Sequence, residues 1–359
     1  MNWLKKNRKF IIIPLIYLLV HVLNQAKILN NYILQVLMLI GINLIMVESL
    51  NVLTGMTGQT SLGQAGFMAV GAYVSAIVTS ILIPAKNFSS AALISFKIGK
   101  IGFQITSIPQ NLIFLLGTLA GGVVAAIFGY IIGTPSLKLK GDYLAIVTLG
   151  FGEVIRQIIR VTPIVGKSFG MVGIPKLANF FWIYFFAILT IFICRNFMDS
   201  SFGRACMAIR DNEIAADTIG INTARYKVIA FVYSAFIAGI SGSMFAHTMV
   251  YLHPDTFAYT KSTDYVIYLY AGGVGSISGS ILGAAALTAL PEILRQISNW
   301  RLVIYGLLLV LIILFRPTGL FGGREFSFLN LKTGGIKVFH FSDLWSWIGK
   351  KKSVEEAGK

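Results

Sequence analysis

The sequence predicts an all-α polytopic membrane protein, and its composition carries that prediction. Hydrophobic residues make up 56% of the 359 residues, charged residues only 12%, and the mean hydropathy is +0.76. A soluble domain carries about 25% charged residues, so much of this chain's surface must face lipid instead of water. The two cysteines, Cys194 and Cys206, offer neither a disulfide framework nor a cysteine-rich metal site.

Apolar runs near the length that crosses a bilayer as a helix, about 20 residues, account for most of the chain. The first run, 10–23, follows a basic N-terminus and has no convincing cleavage site, so we interpret it as an uncleaved span. The other candidate spans are 32–53, 62–83, 112–133, 143–161, 180–197, 228–251, 264–294 and 302–315.

The stretch 264–294 is too long for one crossing and too short for two full ones. Five glycines interrupt it and predict two short helices that enter and return: Gly272, Gly273, Gly275, Gly279 and Gly283. The expected fold then has about ten crossings (roughly eight to ten) with interrupted or re-entrant helices and cytoplasmic N- and C-termini, which agrees with the positive-inside rule. Residues 1–321 form the expected transmembrane domain, and 322–359 form a basic cytoplasmic tail.

The segment 54–66 combines glycines with neutral polar side chains just before an apolar run. Irregular backbone at membrane depth is tolerated only where protein covers it or where it lines a cavity. The segment is therefore a candidate for part of a translocation path, with four candidate residues: Gln59, Ser61, Gly63 and Gln64. An ordinary cytoplasmic turn between two helices explains the same residues equally well.

Glu153 is an ionisable residue within the candidate span 143–161, and such residues are costly in a membrane and often functional. Arg156 follows three residues later, so the two side chains can pair on one helix face. Two interpretations stay open. Glu153 belongs to the translocation path, or it forms a structural ion pair near a helix end.

Charged residues concentrate in 195–227, between two candidate spans. Asp211 or Asn212 can cap a short helix there. Glu213 then lies in the first turn, where the helix dipole favours it, and Gly220 suits the C-terminal end. An apolar stripe runs along this helix: Ile209, Ala216 and Ile219. Because so short a helix is marginal in water, it packs either against a partner protein or, as a solvated connector, against its own membrane domain.

Several other functions find no support in the sequence. Lys and Arg number 30 against 14 Asp and Glu, a net charge of +16, but cations on a membrane protein are commonly a topology signal, so we expect no nucleic-acid partner. Gly166, Lys167 and Ser168 look like the end of a phosphate-binding loop, yet the earlier glycine of that motif is missing. We therefore expect no nucleotide site and no enzymatic activity in this chain. The four histidines lack metal-ligand spacing, so we expect no metal site.

Short motifs follow one another along most of the chain: GQTSLGQAGF (58–67), GAY (71–73), GDYLAIVTLGFGE (141–153), AIRDNEIAA (208–216), GIN (220–222), AG (238–239) with Gly242, GGVGS (272–276) and RPTGL (316–320). In this order they resemble the permease subunits of bacterial high-affinity branched-chain amino acid ABC importers. The resemblance is closest to the longer of the two paired permeases, the LivM type.

The resemblance implies that the chain is one subunit of a larger complex in the lipid of the bacterial inner (plasma) membrane. A second, LivH-type permease would complete a heterodimer. Two cytoplasmic ATPase subunits would bind ATP and magnesium, so the chain itself would need no cofactor. A periplasmic or surface binding protein would deliver leucine, isoleucine or valine.

The resemblance also assigns roles to residues. The loop 198–227 is similar to the coupling loop that docks into the ATPase, and six residues carry that expectation: Arg210, Asp211, Glu213, Ala215, Ala216 and Gly220. The family pattern of a glutamate, two alanines and a later glycine differs here, because Ile214 separates the glutamate from the alanines and the Leu-Pro ending is missing. The second interrupted segment, with Gly273 and Gly275, would line or gate the path together with 54–66.

Other transport functions remain alternatives. Related permeases carry urea, short amides or other amino acids, and the binding protein largely sets that selectivity. A secondary amino-acid transporter would carry its own coupling-ion site, and a channel would conduct passively. The charged loop and the missing phosphate-binding loop both favour an ABC permease subunit over these two classes.

Overall fold

The computed structural model describes residues 30–82, 110–137, 141–296, 300–315, 319, 325–326 and 338–339. Helices make up most of these residues, so the predicted all-α class is confirmed. The expected first span and almost all of the expected tail lie outside the described residues: 10–23 and 322–359.

The helices are numbered in chain order. They are α1 Asn31–Leu50, α2 Gln64–Leu82, α3 Gln110–Ser136, α4 Asp142–Val161, α5 Phe180–Asp199, α6 Ser201–Asp211, α7 Glu213–Thr218, α8 Thr223–Met249, α9 Tyr259–Gly272, α10 Ile277–Ile293 and α11 Arg301–Phe315. A π-helical turn, Asn51–Met56, continues α1. Two two-residue strands, β1 Glu325–Phe326 and β2 Val338–Phe339, pair in parallel.

Within the described ranges, five helices are long and apolar enough to cross a membrane: Asn31–Met56, Gln64–Ile81, Gln110–Ser136, Phe180–Asp199 and Thr223–Met249. The candidate span 143–161 forms α4 but is not among the five, because α4 carries four charged residues. Helices α9, α10 and α11 have 14, 17 and 15 residues, fewer than the about 20 of a straight crossing.

Successive long helices run in alternate directions between two ends of the bundle. At one end, α6 and α7 lie beside the loop 57–60 and the start of α4. At the other end, the Tyr32 hydroxyl at the start of α1 donates a hydrogen bond to Glu292 at the end of α10, and Met171 pairs with Leu252. We call the first of these the α6–α7 end.

The glycine-rich stretch 264–294 covers most of α9 and all of α10, so it forms two helices as the sequence predicts. Gly273 and Gly275, with φ of 128° and 79°, make the break, since other residues rarely adopt such dihedrals. The other three glycines of the stretch instead allow close packing: a Cβ at Gly272 would lie 2.2 Å from the Gly279 carbonyl oxygen, and one at Gly283 would lie 2.2 Å from the Tyr268 carbonyl oxygen.

Small residues also bring α2, α3 and α8 into backbone contact. A Cβ at Gly71 on α2 would lie 2.1 Å from the carbonyl oxygen of Gly239 on α8. A Cβ at Gly242 would lie 1.9 Å from the Met68 carbonyl oxygen, and one at Gly121 on α3 would lie 2.6 Å from that of Gly71. Because lipid tails are as apolar as leucine, membrane helices associate through close packing of this kind.

Gly242→Ala should destabilise the protein, because the added methyl group would overlap the Met68 carbonyl oxygen. Overpacking typically costs about 1–3 kcal/mol, so the thermal unfolding midpoint of the detergent-solubilised protein should fall. Gly150→Ala on α4 is the matched control, since its Cβ would meet no atom within 4 Å. Equal midpoints for the two variants would contradict this packing.

Candidate functional site

The segment 54–66 is an interruption between two long helices. The π-helical turn Asn51–Met56 ends α1, residues 57–63 form a loop, and α2 begins at Gln64. π-helical turns are rare and frequently occur at functional sites. The polar side chains of the segment are largely buried: Thr54, Thr57, Gln59, Ser61 and Gln64. Other parts of the protein therefore cover this backbone, as irregular backbone in a membrane protein requires.

The two interrupted segments are in direct contact. A Cβ at Gly55 would lie 2.7 Å from the backbone nitrogen of Gly275, so the two backbones approach as closely as glycine allows. Asn51 Oδ1 accepts a hydrogen bond from the Gly275 nitrogen at 2.9 Å, and Asn51 Nδ2 donates to Ser280 Oγ on α10 at 3.4 Å. A backbone donor at the α9–α10 break thus finds its partner on the π-helical turn.

Glu48 and Arg210 extend this contact on two sides. The Ser280 hydroxyl donates to Glu48 Oε1 at 2.5 Å, and Glu48 is fully buried. From α6, Arg210 Nη1 donates to the Gly55 carbonyl oxygen at 2.9 Å. We call six residues the polar junction: Glu48, Asn51, Gly55, Arg210, Gly275 and Ser280.

Helices α6 and α7 form the charged segment expected to dock a partner. Ser200 caps α6, and Asn212 caps α7 by accepting a hydrogen bond from the Ala215 nitrogen at 3.0 Å. Of the two caps that the sequence offered, Asn212 is therefore the one used for α7. Lys227 on α8 forms an ion pair of 2.8 Å with Glu213, which fixes the start of α7 against α8.

The exposed side of this segment differs from the stripe that the sequence predicted. Ile209 and Ala216 are buried within this chain, whereas Ile219 is 74% exposed. Ile214, outside the predicted stripe, is 75% exposed. The stripe was wrong in part, because Ile209 belongs to α6 and Ile219 follows the end of α7, so the three residues do not share one helix face. Four of the six expected coupling residues are exposed: Arg210, Asp211, Ala215 and Gly220.

A cavity of about 340 Å³ lies between the loop 57–60 and α6. Its walls include Gln59, Arg210 and Glu213, so an expected path residue and expected coupling residues share one space. Gln59 is only 5% exposed, and neither polar atom of its amide has a hydrogen-bond partner among the described residues. A buried amide costs free energy until something bonds to it, so Gln59 retains hydrogen-bonding capacity for a ligand or water.

The other three path candidates of the loop take part in packing. Ser61 is fully buried, and its hydroxyl accepts a hydrogen bond from the Gly63 nitrogen at 3.3 Å. A Cβ at Gly63 would lie 2.3 Å from the Thr148 carbonyl oxygen on α4. Gln64 Nε2 donates to Ser234 Oγ on α8 at 2.6 Å. These residues hold the loop against α4 and α8.

Glu153 lies in an ion cluster toward the end opposite α6 and α7. Glu153 Oε2 accepts a hydrogen bond from Arg156 Nε at 2.8 Å, and its Oε1 accepts one from the Tyr259 nitrogen at 3.0 Å. Arg156 also pairs with Asp255 at 2.6 Å, and Arg160 pairs with the same carboxylate. Because these contacts tie α4 to the start of α9, they favour the ion-pair interpretation of Glu153.

Glu48, Asn51 and Lys227 are site residues that sequence reasoning missed. Glu48 had a readable signal, since it is an acidic residue inside the apolar run 32–53 and such residues are often functional. Asn51 and Lys227 had none, because their importance depends on partners that only folding brings near.

In the described ranges, no group of three His, Cys, Asp or Glu side chains could hold a metal ion. Cys206 is buried on α6, and burial raises the pKa of its thiol to about 11. Little of it is therefore the reactive thiolate near neutral pH, which keeps the background low when cysteines are introduced elsewhere.

The chain is similar to known permeases of branched-chain amino acid transport systems. Residues 32–313 match the family described as the permease component of the branched-chain amino acid transport system. The high-affinity branched-chain amino acid transport system permease protein LivM of Escherichia coli K12 is 32% identical, over 80% of this chain and 69% of its own length. The corresponding LivH of Salmonella typhimurium is 26% identical, over 76% of this chain and 88% of its own. No solved structure matches the chain.

Cysteines introduced at two adjacent loop positions should differ in reactivity. Thr60 is partly exposed and lines the cavity, whereas Ser61 is fully buried. Thr60→Cys should therefore react with a water-soluble maleimide in the detergent-solubilised protein at least about tenfold faster than Ser61→Cys, since thiol reactivity follows exposure. Equal rates would show that the loop is not packed as described.

Proposed function

The chain belongs to the permease family of branched-chain amino acid transport systems, and on that basis we propose that it is the membrane permease subunit of an ABC importer for leucine, isoleucine and valine. The match across residues 32–313 carries the proposal, because it includes both interrupted segments and the α6–α7 segment. In this proposal, separate ATPase subunits supply the energy. A second, LivH-like permease completes the pathway in the inner membrane, and a binding protein delivers the substrate.

The proposed topology has about ten crossings, with both termini in the cytoplasm. The alternating directions of the described helices support it, because α9 and α10 run toward and away from the α6–α7 end as separate elements. The expected span 10–23, which lies outside the described residues, would complete the count. The charged segment 195–227 supports a cytoplasmic position for the α6–α7 end, since basic residues favour that side.

The proposed docking surface for the ATPase is the outward side of α6 and α7, and five residues define it: Asp211, Ile214, Ala215, Ile219 and Gly220. Its two isoleucines are about three-quarters exposed, although they lie beside charged residues at the proposed cytoplasmic face, where lipid does not cover them. Apolar side chains rimmed by polar ones are typical of protein–protein contact sites. The caps of α6 and α7 and the Glu213–Lys227 ion pair hold this surface in one orientation.

The proposed path passes Gln59 and the α9–α10 break at Gly273 and Gly275. The buried amide of Gln59 carries a donor and an acceptor without partners among the described residues, which suits a zwitterionic solute. A conduit should bind its solute weakly, because the solute must leave as readily as it enters. Ser61, Gly63 and Gln64 then shape the wall of this path through their contacts with α4 and α8.

Reconstitution of the complete complex tests the proposal. Proteoliposomes that contain this chain, its LivH-like partner and the ATPase subunits should accumulate leucine only when the binding protein is outside and ATP is inside. Unlabelled valine should compete with leucine, and urea or acetamide should not. Uptake driven by a proton gradient without ATPase subunits would establish a secondary transporter. Passive flux without ATP would establish a channel, and urea uptake would change the substrate class.

A substitution on the docking surface should weaken ATPase binding without preventing insertion or folding. Ile219→Asp should lower co-purification of the ATPase subunits by about tenfold, because apolar residues at the centre of an interface carry much of the binding energy. The variant should still insert and fold, since the side chain is 74% exposed. Val172→Asp, in a loop at the opposite end and 63% exposed, is the matched control. Normal ATPase capture by Ile219→Asp would remove α7 from the docking surface.

A further inference from the structure

Arg210 lies in the last turn of α6, and its guanidinium contacts both Asp211 of the docking surface and the π-helical turn. Its Nε and Nη2 donate to Asp211 Oδ1 at 3.1 and 3.0 Å. This leaves Nη1 to donate to the Gly55 carbonyl oxygen at 2.9 Å. Because guanidinium presents its donors in a rigid planar fork, this one side chain joins the end of α6 to the π-helical turn.

The same side chain also lies against the second interruption. Arg210 Nη1 would be 3.3 Å from a Cβ at Gly275, and Arg210 Cγ would be 3.1 Å from a Cβ at Gly58. Arg210 therefore meets the π-helical turn, the loop that follows it and the α9–α10 break at one place. The Asn51–Gly275 hydrogen bond of 2.9 Å joins the two interrupted segments without Arg210. A movement of one segment therefore displaces the other.

Physical chemistry makes this contact suitable for transmitting movement. The Gly55 carbonyl is at the C-terminal end of α1 and its π-helical turn, where carbonyl groups carry partial negative charge and favour a cation. Hydrogen bonds from a charged donor are about twice as strong as neutral ones. Gly58, Gly273 and Gly275 have φ of 70°, 128° and 79°, and glycines permit the dihedral changes that a hinge needs. The strong Arg210–Gly55 hydrogen bond thus joins α6 to two backbone segments that can deform: the loop at Gly58 and the α9–α10 break.

We propose that Arg210 is a positioning residue that couples α6 to both interrupted segments. When ATPase subunits displace α6 and α7, the guanidinium moves Gly55 and the α9–α10 break together and so changes the path. This inference rests on the proposed function, because the displacement requires a docked ATPase. It gives Arg210 a role inside the permease, separate from the outward surface formed around Ile214 and Ile219.

The test compares arginines at two positions of the same helix in the complete complex. Arg210→Gln removes the charge, and Arg210→Lys keeps a cationic donor for the Gly55 carbonyl. Arg204→Gln is the matched control, because the Arg204 guanidinium donates to the Asp199 carbonyl oxygen at the end of α5 at 2.6 Å and to Ser201 Oγ at the start of α6 at 3.0 Å, and neither acceptor belongs to the interrupted segments. The measured quantity is leucine transported per ATP hydrolysed in proteoliposomes.

Arg210→Gln should lower this ratio about tenfold, within the usual range of coupling between two sites, while ATP hydrolysis continues. Arg210→Lys should recover part of it and remain about threefold below the wild type. Arg204→Gln should keep the wild-type ratio. A merely structural role of Arg210 would lower hydrolysis and transport together and leave the ratio unchanged.

A distance measurement gives a second readout that does not depend on the substrate. Spin labels at Ile81 on α2 and Tyr270 on α9, both exposed, report movement of α9 relative to the packed core. ATP should change this distance in the wild type and in Arg204→Gln but not in Arg210→Gln. If the wild type hydrolyses ATP yet takes up no leucine, the proposed substrate fails while the distances still decide the role of Arg210.

Three outcomes would overturn the inference. The first is a wild-type ratio in Arg210→Gln, and the second is an ATP-dependent distance that persists in that variant. The third is an Arg210→Lys ratio no better than that of Arg210→Gln, since the lysine retains a donor for the Gly55 carbonyl. If Arg210→Gln does not assemble, Arg210→Lys decides, and a wild-type ratio and distance change there would overturn the inference as well.

Discussion

A hydrogen-bonding group that a helix interruption frees inside a membrane protein must find its partner within the protein, because the hydrocarbon offers no water to bond with it. Here the partners come from other helices. Gly275 donates to Asn51, and the Gly55 carbonyl accepts from Arg210. These two bonds require α1, α6 and the α9–α10 break to converge on one place. Losing one partner would leave a buried group unpaired, at a cost of about 1–3 kcal/mol.

Close backbone approach makes that convergence possible. Gly55 and Gly275 pack without a side chain between them, and Gly71, Gly239 and Gly242 do the same between α2 and α8. Membrane helices gain little from apolar burial, so the dispersion contacts of such approaches supply much of their association energy. The same glycines that weaken individual helices therefore strengthen the contacts between them.

The α6–α7 segment has two faces with different chemistry. Ile214 and Ile219 are exposed, while Ile209 and Ala216 pack against the membrane domain. Arg210 contacts both faces, because it donates to Asp211 on the outer side and to the Gly55 carbonyl oxygen on the inner side. The exposed isoleucines suit the outer side of this segment to bind a partner protein. The Arg210–Gly55 hydrogen bond connects its inner side to the interrupted helices.

Local patterns in the sequence determined the long helices and the break in 264–294, because each depends on residues close along the chain. They left Asp211 and Asn212 open as helix caps and left two interpretations of Glu153, and the structure has the Asn212 cap and the Glu153–Arg156 pair. Motif order determined the family. Only the tertiary structure decided that Gln64 bonds to Ser234, or that Arg210 turns inward to Gly55, 155 positions away in the sequence. Periodicity shows which residues share a helix face. Which neighbour that face meets depends on the packing of all the helices together, because small residues and buried polar groups must be matched across them at the same time.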